Sequence, residues 1–307
     1  MDSPGRNLQD GPALAPDPSD LDSSFSMRDP VTDSQHELII EPHAGMSPID
    51  LHELWRFREL FYMLAWREIK VRYKQTVLGT AWAVFQPVIT MIVFTLFFGV
   101  LIRVPSDNVP YPIFVYAGLL PWTFFSNGIS RASNSLLGDA NMISKVYFPR
   151  LIMPTATVIT SFIDFLISLV ILVGLMIYYR FAPGWNTLFL PLFILLALLA
   201  SLGPGLWITA LNVKYRDFRY VIPFIVQFGL YVSPVGFSSN VIPAKWRLFY
   251  SLNPLVGIID GFRWCILGGE TGIYRPGFAL SLIIIIFFLW LGISRFRKME
   301  KTFADLI

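Results

Sequence analysis

The sequence predicts an all-α membrane protein with six transmembrane helices, an amphipathic helix ahead of them on the cytoplasmic surface, and a re-entrant segment between spans five and six. Three observations carry this prediction. Apolar residues are 54% of the 307 and charged residues only 15%, a mixture that leaves a water-soluble domain with more apolar surface than it can hide. Several runs reach the roughly 20 apolar residues that cross about 30 Å of hydrocarbon as a helix. Lys and Arg gather on alternate connections between those runs, the pattern that fixes orientation in a bilayer.

Residues 1–48 are rich in Asp, Ser, Pro and Gly, with a modest apolar run only at Leu38–Ile40. They read as a disordered acidic cytoplasmic tail, because such a segment cannot bury enough apolar area to offset its ordering entropy. No basic-then-apolar leader opens the chain, so the first span is expected to insert uncleaved. Residues 49–76 change character. Leu54, Phe57, Phe61, Leu64 and Val71 recur at helical spacing, and Arg56, Glu59, Arg67, Lys70 and Lys74 fall on another side, which predicts an amphipathic helix. Trp55, Trp66 and Tyr73 suit headgroup level, so the helix is expected to lie along the membrane surface, against anionic lipid.

The spanning region is 77–294. Val77–Ile102, Thr187–Leu211 and Gly277–Ser294 are apolar and free of charge, and Leu151–Tyr179 holds only Asp164. Ile113–Leu137 is more polar, with Ser126, Asn127, Arg131, Ser133 and Asn134, and Tyr220–Phe237 is short and contains Pro223 and Pro234. Between Ser238 and Arg275 the stretch Asn253–Gly269 is semi-apolar but carries Asp260 and Arg263. Non-helical backbone at membrane depth survives only against protein or a watery path, so this segment is expected to shape an outer mouth. With the N-terminus inside, inner segments hold fifteen Lys or Arg and outer segments six. An even number of spans then places the tail 295–307 in the cytoplasm as well.

The chemistry of an enzyme is missing. No phosphate-binding G-x-x-x-x-G-K-[ST] loop occurs, so the chain is not expected to hold ATP in that way. The single cysteine, Cys265, and three histidines ahead of the spans argue against a disulfide or a metal site. The loops are basic, which disfavours a membrane glycosyltransferase with its acidic site. Two ionisable residues inside the spans, Arg131 and Asp164, make a thin case for an ion-coupled carrier. Arg131 either snorkels or contacts an anionic substrate, and Asp164 is either a proton site or the structural partner of Arg131. Aromatic residues are abundant instead. Leu120-Pro121-Trp122-Thr123-Phe124-Phe125 begins in the outer half of a polar span, where rings interleaved with hydroxyls and amides suit the C–H faces and hydroxyls of a sugar.

The succession Gly118-Leu-Leu-Pro-Trp122-Thr-Phe-Phe125-Ser-Asn127, Asn141-Met-Ile-Ser-Lys145-Val-Tyr-Phe-Pro-Arg150, Asn212-Val-Lys-Tyr-Arg216-Asp217-Phe-Arg219, Ser233-Pro-Val235 and Asn253-Pro254 resembles the permease subunits of ABC-2 type polysaccharide exporters, which move O-antigen, capsule or teichoic acid chains. The resemblance covers roughly residues 50–300 and leaves the acidic tail without a counterpart. It implies a homodimer of permeases forming a channel across the inner membrane of a bacterium, two separate ATPase subunits that bind ATP and Mg, and a lipid-linked polysaccharide substrate. No cofactor in this chain and no nucleic-acid partner are implied. Helix 49–76 would be the interface helix, with Arg67, Lys70 and Tyr73 toward the ATPase. The loop Leu137–Arg150 would be the coupling element through Lys145, Phe148, Pro149 and Arg150, and Arg216 and Asp217 a second contact. Trp122, Phe124, Phe125, Asn127, Arg131 and Tyr231 would line the substrate path. Gate helices would carry Trp246, Asn253, Pro254 and Arg263. A permease for a drug or small lipid would share this fold.

Overall fold

The computed structural model describes residues 55–74, 77–106, 109–139, 142, 148–215, 217–268, 272–300 and 303, which fall within one compact unit, Pro48–Ile307. The expected tail 1–48, Lys145 and Arg216 lie outside the described residues. Among the described residues every regular element is a helix. In chain order these are α1 (Arg58–Lys74), α2 (Val77–Phe94) with a π-helical extension Thr95–Leu101, α3 (Tyr111–Gly138) and α4 (Ile152–Tyr178). A short 3-10 turn, Trp185–Phe189, then leads into α5 (Leu190–Lys214), followed by α6 (Phe218–Val232), α7 (Ala244–Tyr250), α8 (Pro254–Ile266) and α9 (Arg275–Glu300).

Four stretches are long and apolar enough to cross a membrane: Val84–Leu101, Ile152–Tyr178, Trp185–Lys214 and Arg275–Glu300. They coincide with four of the six expected spans. The other two differ from one another. The 28 residues of α3 reach about 42 Å at 1.5 Å per residue, ample length with too polar a composition. The 15 residues of α6 reach only about 22 Å. Expected to run to Phe237, α6 stops at Val232 because Pro234 forces Ser233 into extended backbone (φ −82, ψ 151). At 13 residues α8 is roughly 20 Å long, too short to cross. Asn253 starts it as a side-chain cap on the Leu255 N–H, with Pro254 in the first turn, so the Asn-Pro pair has a plain local reason.

Helix α3 is the centre of the bundle. Eighteen of its residues are buried, because α2, α4, α5, α6 and α8 all pack on it. Four of its hydroxyls are satisfied locally: Thr123, Ser126, Ser133 and Ser135 each donate to a carbonyl three residues earlier. On α5, Thr209 and Asn212 donate to the α3 carbonyls of Ala132 and Ser133 at 2.8 and 2.7 Å. Such bonds let a polar helix sit among apolar ones without water.

The interface helix departs from expectation. Leu64 and Ala65 join a buried cluster with Leu151, Ile152, Met153 and Ala156 of the α4 start, while Arg72 and Tyr73 reach Asp164 farther along α4. Seven residues of α1 advance about 10 Å and the matching eight of α4 about 12 Å, so α1 runs alongside α4 rather than flat beneath the bundle. Its outward side carries Tyr62, Met63, Trp66 and Val71, all exposed. Apolar groups therefore point both ways, instead of along one stripe.

Contacts between helices rest on small residues, as expected where lipid tails compete with side chains for apolar surface. At the crossing of α5 and α9, a Cβ on Gly203 would lie 2.7 Å from the Leu289 amide nitrogen, and one on Gly292 would overlap the Gly203 carbonyl. On α8, a Cβ on Gly261 would overlap the Phe193 ring of α5. Gly292→Val should therefore lower the thermal midpoint of detergent-solubilised protein by roughly 1–3 kcal/mol of stability or more. Gly174→Ala, where nothing lies within 4 Å, should leave it within about 0.5 kcal/mol. Equal behaviour of the two variants by scanning fluorimetry would refute the close crossing.

Candidate functional site

Around α3 the aromatic and polar residues separate. Trp122 points toward α6, where it fills the space beside Gly229, 2.6 Å from where a Cβ would stand. Phe124 points toward α4 and meets Phe162 and Phe165, the latter in turn edge-on to Phe262 of α8. Both rings are buried, at 5% and 2% exposure. Two residues apart on a helix, they diverge by about 200°. In the arc between them, at spacings of four, three and four, lie Thr123, Asn127, Ser130 and Asn134, with Arg131 beside them. All are at least partly open. Of the expected path residues, then, Trp122 and Phe124 are walls inside this chain's own core. Asn127 and Arg131 lie on a polar stripe that the chain leaves uncovered.

At the lower end of that stripe a charged knot joins three helices. Asp164 of α4 takes the Arg72 guanidinium of α1 at 2.6 Å and that of Arg131 of α3 at 3.0 Å, both on Oδ2. The Tyr73 hydroxyl donates to Oδ1. Burial, and then the carboxylate it bonds, hold the Tyr73 phenol well above its usual range, so it stays a donor. Tyr73 therefore faces into this chain, while Lys70 stays exposed above the Trp66 ring. Arg67 is partly buried and bonds Asp139 at the end of α3. The Arg131–Asp164 pairing was legible in the sequence. Arg72 was missed, since it sits on the helix expected along the membrane surface, apart from the spans.

Helix α6 carries the most exposed aromatic face. Gly229 and the buried Ile222 turn toward α3. Roughly opposite, at helical spacing, stand Tyr220, Phe224, Phe228 and Tyr231 at 80%, 68%, 61% and 60% exposure, with exposed Gln227 among them. The Phe224 and Phe228 rings are nearly parallel, centroids 6.2 Å apart. Tyr231 alone was singled out from the sequence, although the recurrence at four, four and three residues carried the signal for the others.

The loop after α6 is fastened from several sides. Arg263 of α8, only 1% exposed, donates to the carbonyls of Val235 at 2.7 Å, Phe237 at 2.9 Å and Phe114 at 3.3 Å. Its guanidinium lies 3.7 Å from the Phe114 ring centroid. Tyr111 donates to the Gly236 carbonyl, Tyr250 to that of Val232 and Asn253 to the Ser233 hydroxyl. Expected as parts of a gate, Arg263 and Asn253 thus serve here as fasteners between helices, and exposed Trp246 on α7 is left as the open member of that group. At the other end of the bundle lies Phe148, expected to be part of the coupling element. It is 4% exposed, in a cluster with Leu136, Leu151, Phe296 and Phe303. Arg150 is engaged too, its amide on Glu300 Oε1 at 2.9 Å and its guanidinium on the Glu300 carbonyl at 2.7 Å. Asp217, before α6, is exposed.

A helical bundle with four membrane-length apolar helices and an open polar stripe at its centre is the frame of a membrane transport subunit. The ABC-2 type transporter family profile matches residues 59–267, more than half of the chain, and the chain belongs to that family. It is 28% identical over 260 residues to the O-antigen export system permease protein RfbA of Myxococcus xanthus, covering 84% of this chain and 98% of the relative. RfbA of Klebsiella pneumoniae is 24% identical over 256 residues, 81% of this chain and 95% of the relative. The polysialic acid transport protein KpsM of Escherichia coli is 24% identical over 243 residues, 77% and 92% respectively.

Arg263→Met should leave three carbonyls without their donor, a loss of roughly 3 kcal/mol or more. Arg263→Lys should recover only part of it, because an ammonium cannot fork to three acceptors. An unchanged melting temperature for Arg263→Met would show that the loop is held elsewhere.

Proposed function

We propose that the chain is the channel-forming subunit of an exporter that carries lipid-linked polysaccharide across the inner membrane of a bacterium. The observation that carries this is the likeness, over nearly the full length of the relatives, to proteins named for O-antigen and polysialic acid export. In this reading α2 with its π-helical extension, α3, α4, α5, α6 and α9 are the six spans, both termini face the cytoplasm as the Lys and Arg count indicates, and α7 and α8 are re-entrant at the outer mouth. Two copies enclose the channel. ATP and Mg are bound by two separate ATPase subunits.

The interior of the single chain is filled by side chains, Trp122 and Phe124 among them, so a path wide enough for a glycan runs along the surface it leaves open. That surface carries the α6 ladder and the α3 stripe. Rings spaced along a helix stack on the C–H faces of successive sugars without fixing their identity, and amides and hydroxyls bond the sugar oxygens. Such a surface suits a long chain that must slide. A drug or small-lipid permease would share the helices, but a ladder of this length offers it no purpose. An ion-coupled carrier is disfavoured by Asp164, which is paired with two guanidiniums.

The loop ending in Phe148-Pro149-Arg150 remains the proposed coupling element, with its roles redistributed. Arg150 bonds Glu300 at the end of α9 and Phe148 shares a buried cluster with Phe296, so in this reading a push on the loop moves α9, and Lys145 would meet the ATPase. Arg216 and Asp217 would be the second contact.

Two measurements test the reading. The chain should co-purify with an ATPase whose hydrolysis it stimulates, and its deletion should trap glycan on the cytoplasmic side. Export that persists without any ATPase would sink the proposal. Phe224→Ala with Phe228→Ala should slow glycan export several-fold at unchanged protein abundance, consistent with roughly 1 kcal/mol lost per stacking ring, and Phe224→Leu with Phe228→Leu should do the same. If the Leu pair exports normally, the face meets lipid instead. Trp122→Ala should lower abundance and export together, because that ring packs inside the chain.

A further inference from the structure

We infer that the Asn127–Arg131 face of α3, above the Asp164 knot, is a binding site for a phosphate group carried by a lipid. The inference rests on the proposed export function only for which lipid arrives there. Arg131 spends a single nitrogen, Nη2, on Asp164, and among the described residues its guanidinium makes no other hydrogen bond or ion pair. A guanidinium has five N–H donors in a fixed fork, so most of its capacity points elsewhere. One turn along α3, four residues away on the same side, the partly open Asn127 amide bonds none of the described residues. Two donor groups with unspent capacity thus sit adjacent on an uncovered stripe.

The charge around them has the right sign. Two guanidiniums, Arg72 and Arg131, converge on one carboxylate oxygen, and the other oxygen is taken by the Tyr73 hydroxyl. Both oxygens of the carboxylate are therefore occupied. Placing a guanidinium within a membrane-spanning helix costs several kcal/mol unless it is paired or hydrated, and Arg131 meets that cost with one nitrogen on a carboxylate it shares. Arg131 is 29% exposed at its side chain, so an anion reaches it along the stripe without breaking the pair. A phosphate ester or diphosphate matches the fork of Arg131 in a bidentate manner, with the Asn127 amide as a neighbouring donor. Neutral sugars would profit less, since they offer no charge to the guanidinium. The aromatic ladder of α6 and this site then divide the work, rings for the glycan and the fork for the phosphate that links it to lipid.

The test uses the full chain in phosphatidylcholine nanodiscs, with binding read by native mass spectrometry. Three probes are compared: a polyprenyl diphosphate, phosphatidylglycerol and soluble inorganic pyrophosphate. Arg131→Gln should weaken polyprenyl diphosphate binding roughly ten- to hundredfold, the loss of a charge-assisted pair, and Asn127→Ala roughly threefold to tenfold. Arg131→Lys should fall between, keeping the charge and losing the fork. Asp164→Asn should tighten binding in the folded fraction, because it removes the competing carboxylate. A loss confined to the polyprenyl lipid assigns the site to a carrier, and a loss shared by all three probes assigns it to phosphate in general. Unchanged affinity of folded Arg131→Gln for every probe overturns the site and leaves the knot a structural pair. Failure of glycan export by wild-type cells, with phosphate binding intact, would instead count against the export reading alone.

Discussion

The bundle depends on the enclosure of α3. A helix carrying six hydroxyls and amides and an arginine within its second half is a poor candidate for lipid, and it is not one of the four stretches apolar enough to cross a membrane. It becomes the best-buried long helix because other helices, rather than lipid, surround most of it. Four of its hydroxyls bond the preceding turn, its carbonyls at Ala132 and Ser133 accept from α5, and its one long cation finds Asp164 on α4. Each bond removes a polar group that would otherwise cost several kcal/mol in hydrocarbon. The arc that stays open is the polar one, and only a partner with polar groups of its own, water or a glycan included, is suited to it.

This changes what low hydropathy means in such a chain. The polarity of Ile113–Leu137 reads from sequence as the mark of a wet path, and for Asn127, Ser130, Arg131 and Asn134 that holds up as an open stripe. For Ser126, Ser133 and Ser135 it does not, since these are buried and satisfied by their own helix. Composition cannot separate the two kinds. The separation follows from which neighbour covers which side, a tertiary fact. The same holds for Trp122 and Phe124, whose neighbours at helical spacing look alike in sequence and whose burial is decided by Gly229 on α6 and Phe162 on α4.

Periodicity and length were the legible part. The four apolar runs follow from composition over roughly twenty residues, whereas the end of α6 at Val232, before Pro234, fell short of the span expected to reach Phe237. The knot at Asp164, the Arg263 fasteners and the Phe148 cluster were not legible to the same degree. Their partners are separated by tens to more than a hundred residues, and a lone charge in a span names no partner. Phe148 shows the cost of reading a motif as a surface. An aromatic residue before Pro149 at a loop is equally a knob for another protein and a plug for its own, and Phe296 and Phe303 decide for the plug.

What these placements share is that both ends of α3 are tied to other elements by cations on carbonyls or carboxylates. At one end Arg263 of α8 bonds Phe114 at the α3 start together with the loop after α6. Toward the other end Arg131 meets Asp164 of α4, which Arg72 of α1 shares, and Arg67 of α1 bonds Asp139 just past the last turn. Between them α3 is one continuous helix of about 42 Å, with Pro121 as the site where a backbone bond is missing and bending is cheapest. The two fastened ends thus link the Arg67 and Asp139 end of α3 to the loop that follows α6 through one helix. The aromatic face of α6 turns away from the core, while its other side packs on α3, where Gly229 meets Trp122, and on α5. A helix fastened at both ends and able to bend only near Pro121 keeps the open polar arc of α3 in a fixed relation to the loop after α6.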